Sequence, residues 1–168
     1  MSPYLRKHLE KKGLDKVIGM GRILKVSNNE TGLTTIPEIA NASIPQLLDL
    51  LTHPNGWVRD KAQHQLTLNA TNDDIQAIKS VVNNASDPTA QLHALYVLED
   101  LQAIETEFLV KLASDSNPQV IAHVLNLLTY IEDDQIEKVE QLTEQLIQRD
   151  DPTIDLYLIR ALGLWSQL

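Results

Sequence analysis

The chain has 168 residues, no cysteine and a formal net charge of −9. That length suits one domain able to bury a core unaided, and the missing thiols exclude disulfides, thiolate metal sites, a cysteine nucleophile and covalently attached c-type haem. With only seven aromatic residues (Tyr4, Trp57, Tyr96, Phe108, Tyr130, Tyr157 and Trp165), a core must be built from Leu, Ile, Val and Ala, the palette of packed helices.

Charge is divided unevenly. Residues 1–30 carry +4 and residues 31–168 carry −13. An acidic body repels phosphate backbones, so nucleic acid is not an expected partner. The opening MSPYLRKHLEKKG has no apolar stretch behind its basic residues. Neither a signal peptide nor an anchor is expected there, and no run reaches the length of a membrane span.

In chain order, residues 3–13 form a basic amphipathic helix through Leu5, Leu9 and Leu14, with Gly13 as its stop. Gly19-Met-Gly21 then leads into Arg22–Val26, an imperfect alternation that reads as one strand without a visible mate. Residues 27–35 are polar turn material, and Thr35-Ile-Pro-Glu38 has the capping-box pattern of a short helix. Residues 1–42 are therefore expected to be an irregular basic arm, with room for one orphan strand.

From residue 43 the chain is periodic. Pro54, Pro88, Pro118 and Pro152 are spaced by 34, 30 and 34 residues. Three follow a capping residue: Asp87, Asn117 and Asp151. An Asp or Asn at the N-cap accepts from an orphan backbone donor, and Pro at the first helical position loses nothing by lacking its own, so each such Pro should start a helix. Counted from Pro88, Pro118 and Pro152, one helical face reads Ala94, Leu95, Leu98, then Val124, Leu125, Leu128, then Leu158, Ile159, Leu162. The segment after Pro54 joins them, with Ala62 and Leu66 in the same columns, if Asn55 and Gly56 are an insertion.

A second set of helices lies between the first. Ile44–Leu51 follows a Ser43-x-x-Gln46 box, and Ile75, Ile78, Val81 and Val82 follow Thr71-x-x-Asp74. Phe108, Leu109, Leu112 and Ala113 make the third, and Ile136, Val139, Leu142, Leu146 and Ile147 the fourth, behind Asp133 and Asp134. Residues 43–168 thus read as an all-α, right-handed α-solenoid of about four HEAT-like helical hairpins, each too small to bury its apolar face without a stacked neighbour.

The stretch His53-Pro54-Asn55-Gly56-Trp57-Val58-Arg59-Asp60-Lys61-Ala62-Gln63, with Gln91-Leu92-His93-Ala94-Leu95-Tyr96-Val97-Leu98-Glu99 some thirty residues on, resembles the HEAT-like segment of putative membrane-bound dehydrogenases. In that family the segment lies between a propeller similar to glucose/sorbosone dehydrogenases and a haem c domain. The resemblance covers roughly residues 4–130. It implies that Gly21–Val26 is the closing strand of a propeller, that the chain belongs to a larger parent protein, and that the compartment is the periplasm or cell envelope. Val58 stands where the family commonly has a second aromatic. Neither a full propeller nor a haem-attachment motif is present, so the family's redox chemistry is not expected of this chain.

Candidate site residues are few. His93 and His123 sit five residues after their repeat prolines, and Tyr157 shares that column, so the three could line up along one face. Each His has an apolar residue four positions on, Val97 or Leu127, which argues for a hydrogen-bonded structural column over a metal site. Trp57, Arg59, Asp60 and Gln63 form the densest polar and aromatic cluster, readable as a partner contact or as a Trp over the end of the first hairpin beside an Arg–carboxylate pair. The acidic runs at Glu132–Asp134 and Asp150–Asp151 lack calcium-loop spacing and read as helix-start charges. No nucleophile elbow or phosphate loop is present. The expectation is a non-catalytic module without cofactor, contacting proteins or neighbouring domains of a parent chain. Leu162, Leu164, Trp165 and Leu168 end the last helix without a polar capping repeat, which points to cover from a parent chain or to self-association.

Overall fold

The computed structural model describes residues 2–14, 35–115, 117–130 and 136–165. The chain divides into two units, residues 1–35 and 36–168. Among the described residues there are nine α-helices and no strand, so the architecture is all-α. The strand expected at Arg22–Val26 and the acidic run at Glu132–Asp134 lie outside those residues.

In the first unit, α1 spans Pro3–Lys11. Ser2 caps it, accepting from the Leu5 amide at 3.3 Å, and Gly13 stops it at φ +67°, where a side chain would be strained. None of its residues is buried.

The second unit opens with a departure from expectation. Thr35–Glu38 forms no helix. Pro37 steers Ile36 away from helical geometry, and the Glu38 carboxylate reaches forward to the Asn41 amide at 3.3 Å, where a capping box would need it to reach back. The box eight residues later does form: the Ser43 amide donates to Gln46 Oε1 at 2.9 Å, and α2 runs over Ile44–Leu50.

The later helices are α3 (Gly56–Asn69), α4 (Ile75–Asn84), α5 (Pro88–Asp100), α6 (Thr106–Asp115), α7 (Pro118–Leu127), α8 (Ile136–Ile147) and α9 (Pro152–Trp165). Four of them start alike. Asn55, Asp87, Asn117 and Asp151 each accept the amide two residues on, at 3.0, 2.9, 2.9 and 2.8 Å. Pro54 is therefore not a helix opener. Asn55 caps α3 and Gly56 takes the place that Pro88, Pro118 and Pro152 hold elsewhere, so the apparent two-residue insertion is a shift of the cap.

Counted from these caps, the third position (Val58, Ala90, Val120, Ile154) and the seventh (Ala62, Ala94, Val124, Leu158) are buried in all four helices. Each helix turns this stripe inward, and a fully buried Leu or Ile contributes about 1.5–3 kcal/mol. Fully buried side chains among the described residues are all apolar. Packing follows the chain: α2 lies on α3, α4 on α5, α6 on α7 and α8 on α9, while α3, α5, α7 and α9 touch in succession and α6 touches α8. Lys79 on α4 lies 5.3 Å over the Phe108 ring of α6, and Lys138 on α8 reaches Glu107 on α6 at 3.5 Å. No helix is long and apolar enough to cross a membrane among the described residues.

Candidate interaction surface

Cap geometry places the polar side chains. Arg59 sits four residues after its cap, and its Nη1 donates back to the carbonyls of His53 at 2.7 Å and Pro54 at 3.2 Å. The guanidinium thereby clamps the loop that enters α3. The expected Arg–carboxylate pair is replaced by this backbone clamp.

The same guanidinium turns its Nε toward α5, where it donates to His93 Nε2 at 3.4 Å. The other ring nitrogen, Nδ1, lies 2.6 Å from Gln63 Oε1. One protonation state satisfies both bonds: a neutral imidazole with its proton on Nδ1, donating to Gln63 and accepting from Arg59. Burial, then the Arg59 charge, hold the His93 pKa below its ordinary value, with Asp60 and Asp87 opposing. Three helix-borne side chains, Arg59, Gln63 and His93, thus lock α3 to α5, and Asp60 acts on His93 through its charge. Thr67 adds a further α3–α5 bond, donating to Asp100 at 3.0 Å.

His123 does not continue the row by meeting His93. Its Nδ1 lies 2.7 Å from the Tyr96 hydroxyl, and the two rings meet edge to face at 5.6 Å. Burial lowers the His123 pKa and so favours the neutral ring, which accepts from the phenol in the tautomer that carries its proton on Nε2. Burial raises the Tyr96 pKa, followed by the charges of Glu99 and Tyr157. Tyr157 on α9 therefore stands in the electrostatic neighbourhood of Tyr96 on α5. Tyr96 is the residue that sequence reasoning missed. Its signal was its position three residues after His93, which puts both on adjoining parts of one helix surface.

Trp57, two residues before Arg59 in the chain, is 51% exposed. Trp165, by contrast, turns inward and donates its indole N–H to the Leu128 carbonyl at 3.0 Å, capping the end of α7. Among the described residues no group of three or more His, Asp and Glu comes together as a metal ion would need. Compared with protein-family models, curated proteins and solved structures, the chain matches none of them.

Proposed function

We propose that the chain is a HEAT-like repeat module, a right-handed α-solenoid of about four helical hairpins, that serves as a non-catalytic contact surface for a protein or a neighbouring domain. The repeated cap geometry and the succession α3, α5, α7, α9 support the solenoid reading, because hairpins that contact only their neighbours build a quasi-one-dimensional stack.

The observation that carries the contact role is a row of two tied groups, Arg59–Gln63–His93 and Tyr96–His123, all partly exposed, with Trp57 half-exposed two residues before Arg59. Trp, Tyr and Arg are the side chains that dominate interface energetics. Side chains fixed by bonds to one another lose little further freedom when a partner arrives, so less binding energy goes into ordering them. With residues 31–168 at −13, the partner's facing surface is neutral or basic, and its capture weakens with salt.

The test is comparative capture from the source cell. Tagged wild type and the Trp57→Ala and Arg59→Ala variants are compared with Glu140→Ala, a change at an exposed α8 position. The module reading requires a partner retained by wild type and Glu140→Ala but depleted with the two row variants. Equal retention by all four chains would remove the row from the interface.

A second reading takes the chain as a positioning segment of a multidomain envelope oxidoreductase, lying between a propeller and a haem c domain. The exposure of Trp57, within the string on which that resemblance turns, favours it, since an indole placed there can pack on an adjoining domain. A parent reading frame encoding a propeller upstream and Cys-x-x-Cys-His downstream would establish it, and a frame without them would dismiss it.

A further inference from the structure

We infer that the outward arc of α9 is a self-association surface through which two copies of the chain pair side by side, with their α9 helices parallel. After the caps of α5 and α7 the eighth residue, Leu95 or Leu125, and the eleventh, Leu98 or Leu128, are 0% exposed. In α9 the same positions hold Ile159 and Leu162, 70% and 41% exposed, and Leu156 joins them at 65%. A residue type that is core elsewhere in the repeat is here turned to solvent.

The interior helices show which way this arc points. Gln63, eight after its cap, meets His93, six after the next, and Tyr96, nine after its cap, meets His123, again six after. Positions eight and nine are thus the forward side of each helix. On α9 the forward side is Leu156, Ile159, Arg160 and Gly163, a stripe with the i, i+3, i+4, i+7 spacing of one helix face.

Charge selects the occupant. Head-to-tail stacking, which would set the α3 of a second copy on α9, repeats the interior register and brings Arg160, nine after its cap, against Lys61, six after its own. Two cations would then face each other where the interior has Tyr96 and His123. An antiparallel α9 pair sets each flank against its own kind, Asp155 toward Asp155 and Arg160 toward Arg160. A parallel twofold pair does the reverse. With Leu156 and Ile159 as the a and d residues of one heptad, Asp155 falls at g and Arg160 at the following e, and in parallel helices g faces the e of the partner. Twofold symmetry makes that Asp–Arg pair twice.

Two apolar layers put this contact at the small end of specific interfaces, so the pairing is weak and reversible. It uses a surface apart from the row proposed above for a partner.

Sedimentation velocity on the whole chain, from low micromolar to several hundred micromolar, tests it. The expected result is a monomer–dimer equilibrium that stops at the dimer and weakens with salt. Ile159→Asp, at an exposed site, should leave the circular-dichroism melt unchanged and raise the dimer Kd at least about ten-fold. Asp155→Arg should weaken the dimer as well, and Asp155→Arg with Arg160→Asp should restore it. A strictly monomeric chain, a dimer indifferent to Ile159→Asp, or a charge swap that fails to restore would each overturn the inference. So would growth past the dimer that Lys61→Glu tightens, the signature of head-to-tail stacking.

Discussion

Tyr96 and His123 join α5 to α7 by a 2.7 Å bond between phenol oxygen and Nδ1, with their rings edge to face at 5.6 Å. Both side chains are half-buried, so the pair is sheltered enough to order the seam and exposed enough to be read from outside. Removing the hydroxyl with Tyr96→Phe keeps the ring contact and leaves Nδ1 without its hydrogen-bond partner. The expected cost is about 1 kcal/mol in chemical denaturation. A double-mutant cycle with His123→Ala should give a coupling energy of at least about 0.5 kcal/mol, and additive single changes would mean that the bond contributes nothing.

Acid should weaken the two histidine contacts. Burial holds the pKa of His93 and His123 below the ordinary value of about 6.5, with Arg59 adding to the effect at His93. The unfolded chain therefore binds protons at a pH where the folded chain does not. The stability these rings contribute is present above about pH 6.5 and is lost as pH falls toward their folded values. The informative quantity is a difference between wild type and a chain lacking both rings. The urea midpoint of wild type should fall more between about pH 7.5 and 5.5 than that of His93→Gln/His123→Gln. Parallel pH profiles would contradict this.

Register, not residue type, should set the cost of truncating the repeat's apolar columns. Leu125 and Ile159 occupy the same position after their caps, yet one is 0% and the other 70% exposed. Leu125→Ala should cost about 2–5 kcal/mol. Ile159→Ala, measured at concentrations where the chain is monomeric, should change stability by less than about 0.5 kcal/mol. Similar costs at both sites would mean that α9 is covered within the monomer.

One position can be improved. Gln102 ends α5 at φ +54°, with its amide on the Glu99 carbonyl and the Ala103 amide on the Leu98 carbonyl, both at 2.8 Å. This is the paired closure that favours glycine at the left-handed residue. Gln102→Gly should raise stability by up to about 1 kcal/mol, visible as a higher melting temperature. A loss would show that the Gln102 side chain holds the α5–α6 turn.

The helix starts were legible because capping chemistry is local. Asp87, Asn117 and Asp151 each bind an amide two residues away, a relationship written wholly within a short string. Pro54 misled for the same reason: it resembles the other repeat prolines, while the bond that starts α3 comes from Asn55. At Thr35–Glu38 the pattern of a capping box was present, but its carboxylate found a nearer amide at Asn41.

The row of polar contacts was only half legible. His93 and His123 stood out by column, and Arg59 and Gln63 by density. Which side of each helix faces its neighbour is a tertiary fact, so neither the bridging of Arg59 and Gln63 by His93 nor the part of Tyr96 could be read from spacing. For the same reason spacing groups Ile159 with the buried Leu95 and Leu125, although it is 70% exposed, a difference that periodicity does not encode.

Site-specific photo-crosslinking in the source cell tests the central claim most directly. A photoreactive residue replacing Trp57 should yield one discrete crosslinked partner, lost when Arg59→Ala is added, while the same probe replacing the exposed Glu140 on α8 should yield none. Equal crosslinking from both positions, or a product at 57 that survives the loss of Arg59, would contradict the account of this row as the contact surface.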